Sequence, residues 1–344
     1  MLMPGKRGLV ALLALLGVGA AAFAVFGGGA PHAQSSAPRG KALVPVSIAG
    51  VPVNNPDKPP SDVAQAGGVL GYALDLGGFQ RELEQAGFAF QGLRGFPRTA
   101  ACMLALSSGQ VEVAITGDSP AVLSRARGDK HRAIYLSLPT TETWIVARKG
   151  GPRTLAELPG KKVGTYFGST FDYYFRAATA QLGIEGIDYA QLAPSAALPA
   201  LQNDSLDAFL TTSTNAALWR SKYGLPVIAK LSEVDAKYRG IQIVSAREDF
   251  LAANPGFPAA YFRGLQTAIE AIRKDPEAFF AWEADVTGMP LEIVKVGSPL
   301  PLADTPIPPE SVAALEEQLA FRLKTGVANA PFDVRGWVVE PAHE

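Results

Sequence analysis

Three times along the chain a short apolar run ends in small polar residues that open a helical stretch, and this recurrence restricts the fold more than any other feature. The runs end at Thr116-Gly117-Asp118-Ser119, at Gly168-Ser169-Thr170 and at Thr211-Thr212-Ser213-Thr214. A strand feeding a capped helix is the repeating unit of an open α/β sheet. The middle instance is the plainest. Residues 163–167 are short and β-prone, Gly168-Ser169-Thr170 supplies a turn and a cap, and residues 171–182 favour a helix that Gly183 stops.

Such junctions suit an anion. The first turn of a helix carries unpaired N–H groups and a partial positive charge, so a sulfonate, nitrate, phosphate or carboxylate can be held without a basic side chain. Ligands of open α/β sheets bind beyond the carboxyl ends of the strands, where three such junctions can converge on one cleft. Taken singly, each junction is equally well a Ser or Thr capping its own helix.

The same rhythm predicts strands over 42–48, 88–93, 111–116, 133–138, 143–148, 189–192, 206–210, 226–231 and 240–245. Helices are predicted over 67–87, 99–106, 117–127, 196–202, 215–223, 257–273, 275–282 and 311–326. The 344 residues, 48% hydrophobic, suit two lobes. Residues 42–139 read as the first lobe, 140–235 as the second, and 236–344 as a return to the first with C-terminal helices. The loop 51–61 is too rich in proline for regular structure.

Lys6-Arg7 precedes an uncharged apolar run over 8–26, and glycines and polar residues follow it. Residues 1–33 therefore read as a signal for export, cleaved or kept as an anchor, with 34–41 as a linker. The expected location is periplasmic or otherwise extracytoplasmic. A formal net charge of −1 and the lack of a basic run argue against a nucleic-acid partner.

Catalytic equipment is sparse. Of three histidines, His32 lies in the leader and His343 near the C-terminus, which leaves His131 in a charged loop. The single cysteine, Cys102, offers neither a disulfide nor a thiolate metal site and reads as a buried residue of a helix face. Nucleophile elbows, zinc-binding HExxH runs and Gly-rich nucleotide loops are all missing. No catalytic residue, metal or cofactor is expected.

These motifs together resemble the periplasmic substrate-binding proteins of ABC importers, in the aliphatic-sulfonate, taurine and nitrate branch. The residues that carry the resemblance are Met103-Leu-Ala-Leu-Ser-Ser-Gly-Gln-Val-Glu-Val-Ala, Thr116-Gly-Asp-Ser-Pro, Leu158-Pro-Gly-Lys-Lys-Val-Gly, Gly168-Ser-Thr, Leu206-Asp-Ala, and Val312-Ala-Ala-Leu-Glu through Asp333-Val-Arg. The resemblance implies a type II periplasmic-binding-protein fold, α/β in class, in which two lobes of mainly parallel sheet flanked by helices enclose a ligand cleft. It further implies that Thr116, Gly117, Asp118, Ser119, Gly168, Ser169 and Thr170 face the ligand, with Glu142 near the crossing between lobes. Thr211-Thr212-Ser213-Thr214 stands where the family has an aromatic Trp-Asp-Pro-type segment.

The expected receptor binds a small organic anion, with an aliphatic sulfonate or taurine first, and delivers it as a monomer to ABC permease subunits. N–H groups at Ser169 and Thr170, hydroxyls at Ser119, Thr170 and Thr212, and Arg98 at its helix start would hold the head. Thr211 and Ser213 complete the hydroxyl wall, while Phe171, Tyr72 or Trp144 would meet the tail. Alternatives are a receptor of the same fold for nitrate or a thiamine-pyrimidine precursor, and a sulfinate desulfinase with Cys102 as nucleophile.

Overall fold

The computed structural model describes residues 42–52, 59–298 and 300–339. The leader at 1–33 and the linker at 34–41 lie outside them, as do residues 53–58 of the proline-rich loop. From the first strand, β1 (Val44–Gly50), the chain passes to α1 (Asp62–Ala66), α2 (Gly68–Asp75) and α3 (Gly78–Gln85). It continues through β2 (Phe88–Gly95), α4 (Thr99–Ser107), β3 (Val113–Gly117), α5 (Asp118–Ala126) and β4 (His131–Leu136). The single helix predicted over 67–87 is thus divided. Gly67 at φ 55° and Gly77 at φ 68° adopt backbone conformations that a continuing helix does not allow.

The chain then forms β5 (Thr141–Ala147), β6 (Lys162–Thr165), α6 (Thr170–Gln181), β7 (Asp188–Gln191), α7 (Pro194–Gln202), β8 (Ala208–Thr212), α8 (Ser213–Tyr223), β9 (Val227–Lys230) and α9 (Leu231–Val234). The strand predicted over 240–245 is two strands. β10 (Arg239–Gly240) pairs with β5, whereas β11 (Gln242–Arg247) inserts between β3 and β4, so the chain changes sheets at Ile241. The remainder is helical: α10 (Glu248–Ala253), α11 (Phe257–Lys274), α12 (Pro276–Thr287), α13 (Leu291–Gly297), α14 (Pro309–Lys324) and α15 (Val334–Trp337).

Two sheets result, in the orders β2-β1-β3-β11-β4 and β10-β5-β8-β6-β7, with β9 also on β5. β1 runs parallel to β2 and β3, and β6 runs parallel to β7 and β8. β11 in the first sheet and β5 in the second run antiparallel to their neighbours. Alternation along each strand puts apolar residues on both faces. Ile48, Val113 and Val244 pack under α2, α3 and α11, while Ala49, Ala114 and Ile243 pack under α4, α5 and α14. In the second sheet Ile145 and Leu210 face the α6 side, and Val146 and Phe209 face α7 and α8. Among the described residues no helix is long and apolar enough to cross a membrane.

Candidate functional site

The carboxyl ends of β1 and β3 in the first sheet meet the start of α6 from the second, and between them lies a cleft of about 310 Å³. Its floor is Ile115, Thr116 and Gly117, its far wall Ser169, Thr170 and Phe171. Thr141 and Gln242 sit where the chain changes sheets, and Thr99, Gln65 and Leu93 close the near side. None of the described residues lining it is ionisable. A charged ligand in this space is therefore held by neutral donors or not at all.

The donors come from helix ends. Ser169 is the N-cap of α6, and its hydroxyl accepts from the backbone N–H of Asp172 at 3.2 Å. Asp172 in turn takes the N–H of Gly168 at 3.1 Å and pairs with Arg176 at 2.9 Å. These contacts orient the turn, and the first N–H groups of the helix have no intrahelical acceptor. At the opposite wall α4 begins at Thr99 with no side chain capping it. Arg98 precedes it, exposed, and its guanidinium donates to the Tyr166 hydroxyl at 2.8 Å. It stands at the rim, bridging the two sides, and is not a lining residue.

Asp118 and Ser119 are placed differently from the expectation. Both are fully buried behind the cleft, at 0% exposure. The Asp118 carboxylate accepts from the hydroxyls of Thr170 and Tyr174 at 2.8 and 2.9 Å, from the Ile241 N–H at 2.9 Å and from Gln318 at 3.2 Å. The Arg322 guanidinium, also 0% exposed, lies 4.0 Å from this carboxylate and donates to the Ser119 hydroxyl. Burial pushes Arg322 below its ordinary pKa, and the charge of Asp118 opposes that shift. Two groups read as ligand contacts are thus committed to a network that joins α5, α6, α14 and the crossing strand, because α14 packs over them from 200 residues further along the chain.

The third junction belongs to a separate cavity of about 330 Å³, lined by Thr212, Ser213 and Thr214 with Glu142, Arg239 and Ser298. Thr212 caps α8 through the Asn215 N–H at 3.1 Å, and Thr211 is buried beneath it, accepting from the Asn215 amide at 3.3 Å. Glu142 accepts from Trp144 at 2.8 Å and Ser232 at 2.7 Å and pairs with Arg239 at 3.3 Å. Burial raises its pKa, but these hydrogen bonds and the charges of Arg239 and Lys230 outweigh it, so the carboxyl lies below its ordinary value. Trp144 sits under the Lys230 ammonium, outside the cleft. Tyr72 is also elsewhere, packed at 5.5 Å on Phe279 and at 4.9 Å on Trp282 between helices.

Cys102 is buried at 0% exposure, and desolvation pushes its thiol up to about 11, which removes the thiolate a desulfinase would need. Thr99, Thr141 and Gln242 were missed as lining residues. Thr99 was within reach, since it opens a predicted helix, whereas Thr141 and Gln242 meet only through the change of sheets.

Two lobes joined at a crossing, with a cleft at the strand ends, define the periplasmic-binding-protein fold. Solved structures with the same fold include the alkanesulfonate-binding protein SsuA from Xanthomonas axonopodis pv. citri bound to MOPS, with TM-score 0.71, 18% identity and coverage of 87% of this chain and 98% of that one. The periplasmic aliphatic sulphonate binding protein SsuA from Escherichia coli has TM-score 0.68 and 18% identity, covering 89% of this chain and 94% of its own. The chain belongs to the family described as NMT1/THI5 like, which it matches over residues 97–279, more than half its length. It is also 27% identical over 239 residues, 65% of this chain and 71% of the other, to a candidate aliphatic sulfonates-binding protein of Escherichia coli (strain K12).

Proposed function

We propose that this protein is an extracytoplasmic solute receptor that binds a small organic anion with a sulfonate head between two closing lobes and delivers it to the permease of an ABC importer. The observation that carries the reading is a cleft without ionisable lining, bounded by the starts of α4 and α6. A sulfonate is ionised at every physiological pH and presents three acceptor oxygens, which the N–H groups of Thr170 and Phe171 and hydroxyls of Thr99 and Thr141 can meet without a counter-charge, whereas the Ser169 N–H is already given to the Tyr166 carbonyl at 3.0 Å. The sulfonate ligands in the names of the relatives support the same class. In this reading residues 42–139 and 242–339 form one lobe and 140–240 the other, the boundary falling past the expected residue 235 because β10 still pairs with β5; 1–33 direct export, and the receptor acts as a monomer. The buried Cys102 leaves the enzymatic alternative without a nucleophile.

Calorimetric titration with ethanesulfonate, taurine and nitrate tests the proposal. The double substitution Thr99→Val with Thr141→Val removes the two hydroxyls assigned to the ligand and should weaken sulfonate binding by about 1–3 kcal/mol, the range for a lost buried hydrogen bond. Unchanged affinity would remove both hydroxyls from the site.

A further inference from the structure

The cleft has no cation in its lining, yet two buried carboxylates stand at its wall. Asp118, 0% exposed, opens α5, and Asp172, 7% exposed, lies in the first turn of α6. In each ion pair the carboxylate, not the arginine, is bonded at that wall. Asp118 accepts from the hydroxyl of Thr170, a lining residue, while its counter-charge Arg322 lies 4.0 Å away on α14 and donates to Ser119. Asp172 accepts from the N–H of Gly168, next to the lining residue Ser169. Its partner Arg176, at 2.9 Å, stands one turn further along α6 with its guanidinium 4.0 Å above the Tyr189 ring. Neither arginine lines the cleft. The other groups bonded to Asp118 from neighbouring elements, Tyr174, Gln318 and the Ile241 N–H, are neutral donors. Arg98 stands at the exposed rim, where water and salt screen it.

We infer that the receptor selects by charge: it takes oxyanion heads carrying a single negative charge and turns away dianions of the same shape, with Asp118 and Asp172 as the residues that set this limit. The inference rests on the proposed function and concerns the charge of the head alone. The starts of α4 and α6 each supply about half a positive charge. Together they match a monoanion. The second charge of a dianion finds no further partner, and it meets two carboxylates instead. The energy between a fixed charge and the ligand is proportional to the ligand's own charge. Whatever the two acids cost a monoanion, they therefore cost a dianion twice over. A sulfonate and a phosphonate head present the same tetrahedral shape, so charge is what separates them.

Methanesulfonate and methylphosphonate test the limit, since the first is a monoanion throughout and the second passes from monoanion to dianion around neutral pH. Both are titrated calorimetrically into the wild-type protein from mildly acidic to mildly alkaline pH. Methylphosphonate should bind at the acidic end and lose about tenfold in affinity per pH unit beyond its second ionisation, as the binding-competent fraction falls. Methanesulfonate should stay level, which shows that the protein itself is not titrating. Asp172→Asn keeps an oxygen for the Gly168 N–H and removes the charge. It should raise the affinity for methanesulfonate by some factor and that for the methylphosphonate dianion by the square of it. Equal gains for the two ligands would overturn the role of Asp172, and if the variant does not fold, the wild-type series decides. Methylphosphonate affinity that stays level or rises with pH, while methanesulfonate binds, would overturn the charge limit and leave the anion site standing. A wild-type protein that binds neither ligand at any pH would overturn the proposed function and this inference together.

Discussion

Thr170, the first residue of α6, donates its hydroxyl hydrogen to the carboxylate of Asp118, the first residue of α5, across 2.8 Å. The two helices belong to different sheets, so this contact ties the two strand-to-helix junctions on either side of the cleft. The same carboxylate also takes the Ile241 N–H from the segment where the chain changes sheets, and Gln318 from α14. Both halves and their crossing thus share one buried acceptor directly behind the candidate ligand site.

Asp118→Asn should lower stability by about 3–5 kcal/mol, because it leaves the Arg322 guanidinium in the interior without its counter-charge. Urea unfolding measures the loss. Asp118→Asn combined with Arg322→Met should recover part of it, since removing both charges abolishes the uncompensated one.

Gly117→Ala tests how closely the junctions approach. A Cβ there would lie 2.5 Å from Thr170 Oγ1, while the backbone at φ −77° admits any residue, so the whole effect comes from the contact. The expected cost is about 1–3 kcal/mol of stability, together with weaker sulfonate binding as the α6 start is displaced. A variant with wild-type melting temperature and affinity would show that the junctions are free to separate.

His131 should make stability depend on pH. Its ring is 1% exposed against Trp337, and neither ring nitrogen has a hydrogen-bond partner among the described residues. Burial first, then the charges of Arg125 and Arg127 against that of Asp129, bring its pKa down from 6.5 to about 4. Between those values the unfolded chain takes up a proton that the native state excludes. Stability is therefore complete above about pH 6.5 and falls by up to about 3 kcal/mol as the pH drops to about 4. His131→Phe keeps a ring against Trp337 and should flatten this part of a melting-temperature profile.

Cys102 should resist thiol reagents in the folded protein and react on unfolding, as its burial and raised pKa require. Cys102→Ser should leave ligand affinity unchanged. Rapid labelling of the native protein, followed by mass spectrometry, would contradict the packing around α4.

Local chemistry was readable wherever a residue answers to its neighbours in sequence. The cap at Ser169 and the stop at Gly183, at φ 66°, each act within one helical turn. The short apolar runs over 42–48, 111–116 and 143–148 likewise read as strands, and their succession with helical stretches as an α/β fold. Tyr72 and Trp144 show the limit. Each is an aromatic residue that could line a site or a core, and only the helix carrying Phe279 and Trp282, or the Lys230 ammonium, decided its place.

By itself the sequence determined the strand-cap-helix units and the absence of ionisable residues from most of their tips, because capping and periodicity are local. Tertiary structure alone decided which tips meet. Asp118 and Ser119 turned inward because Gln318 and Arg322 arrive from a helix 200 residues later and supply the partners that a buried carboxylate and hydroxyl require. Thr141 and Gln242 became cleft residues because β11 inserts between β3 and β4 instead of extending β10. Contacts of that range carry no periodic signal, so the backbone must be assembled before they can be read.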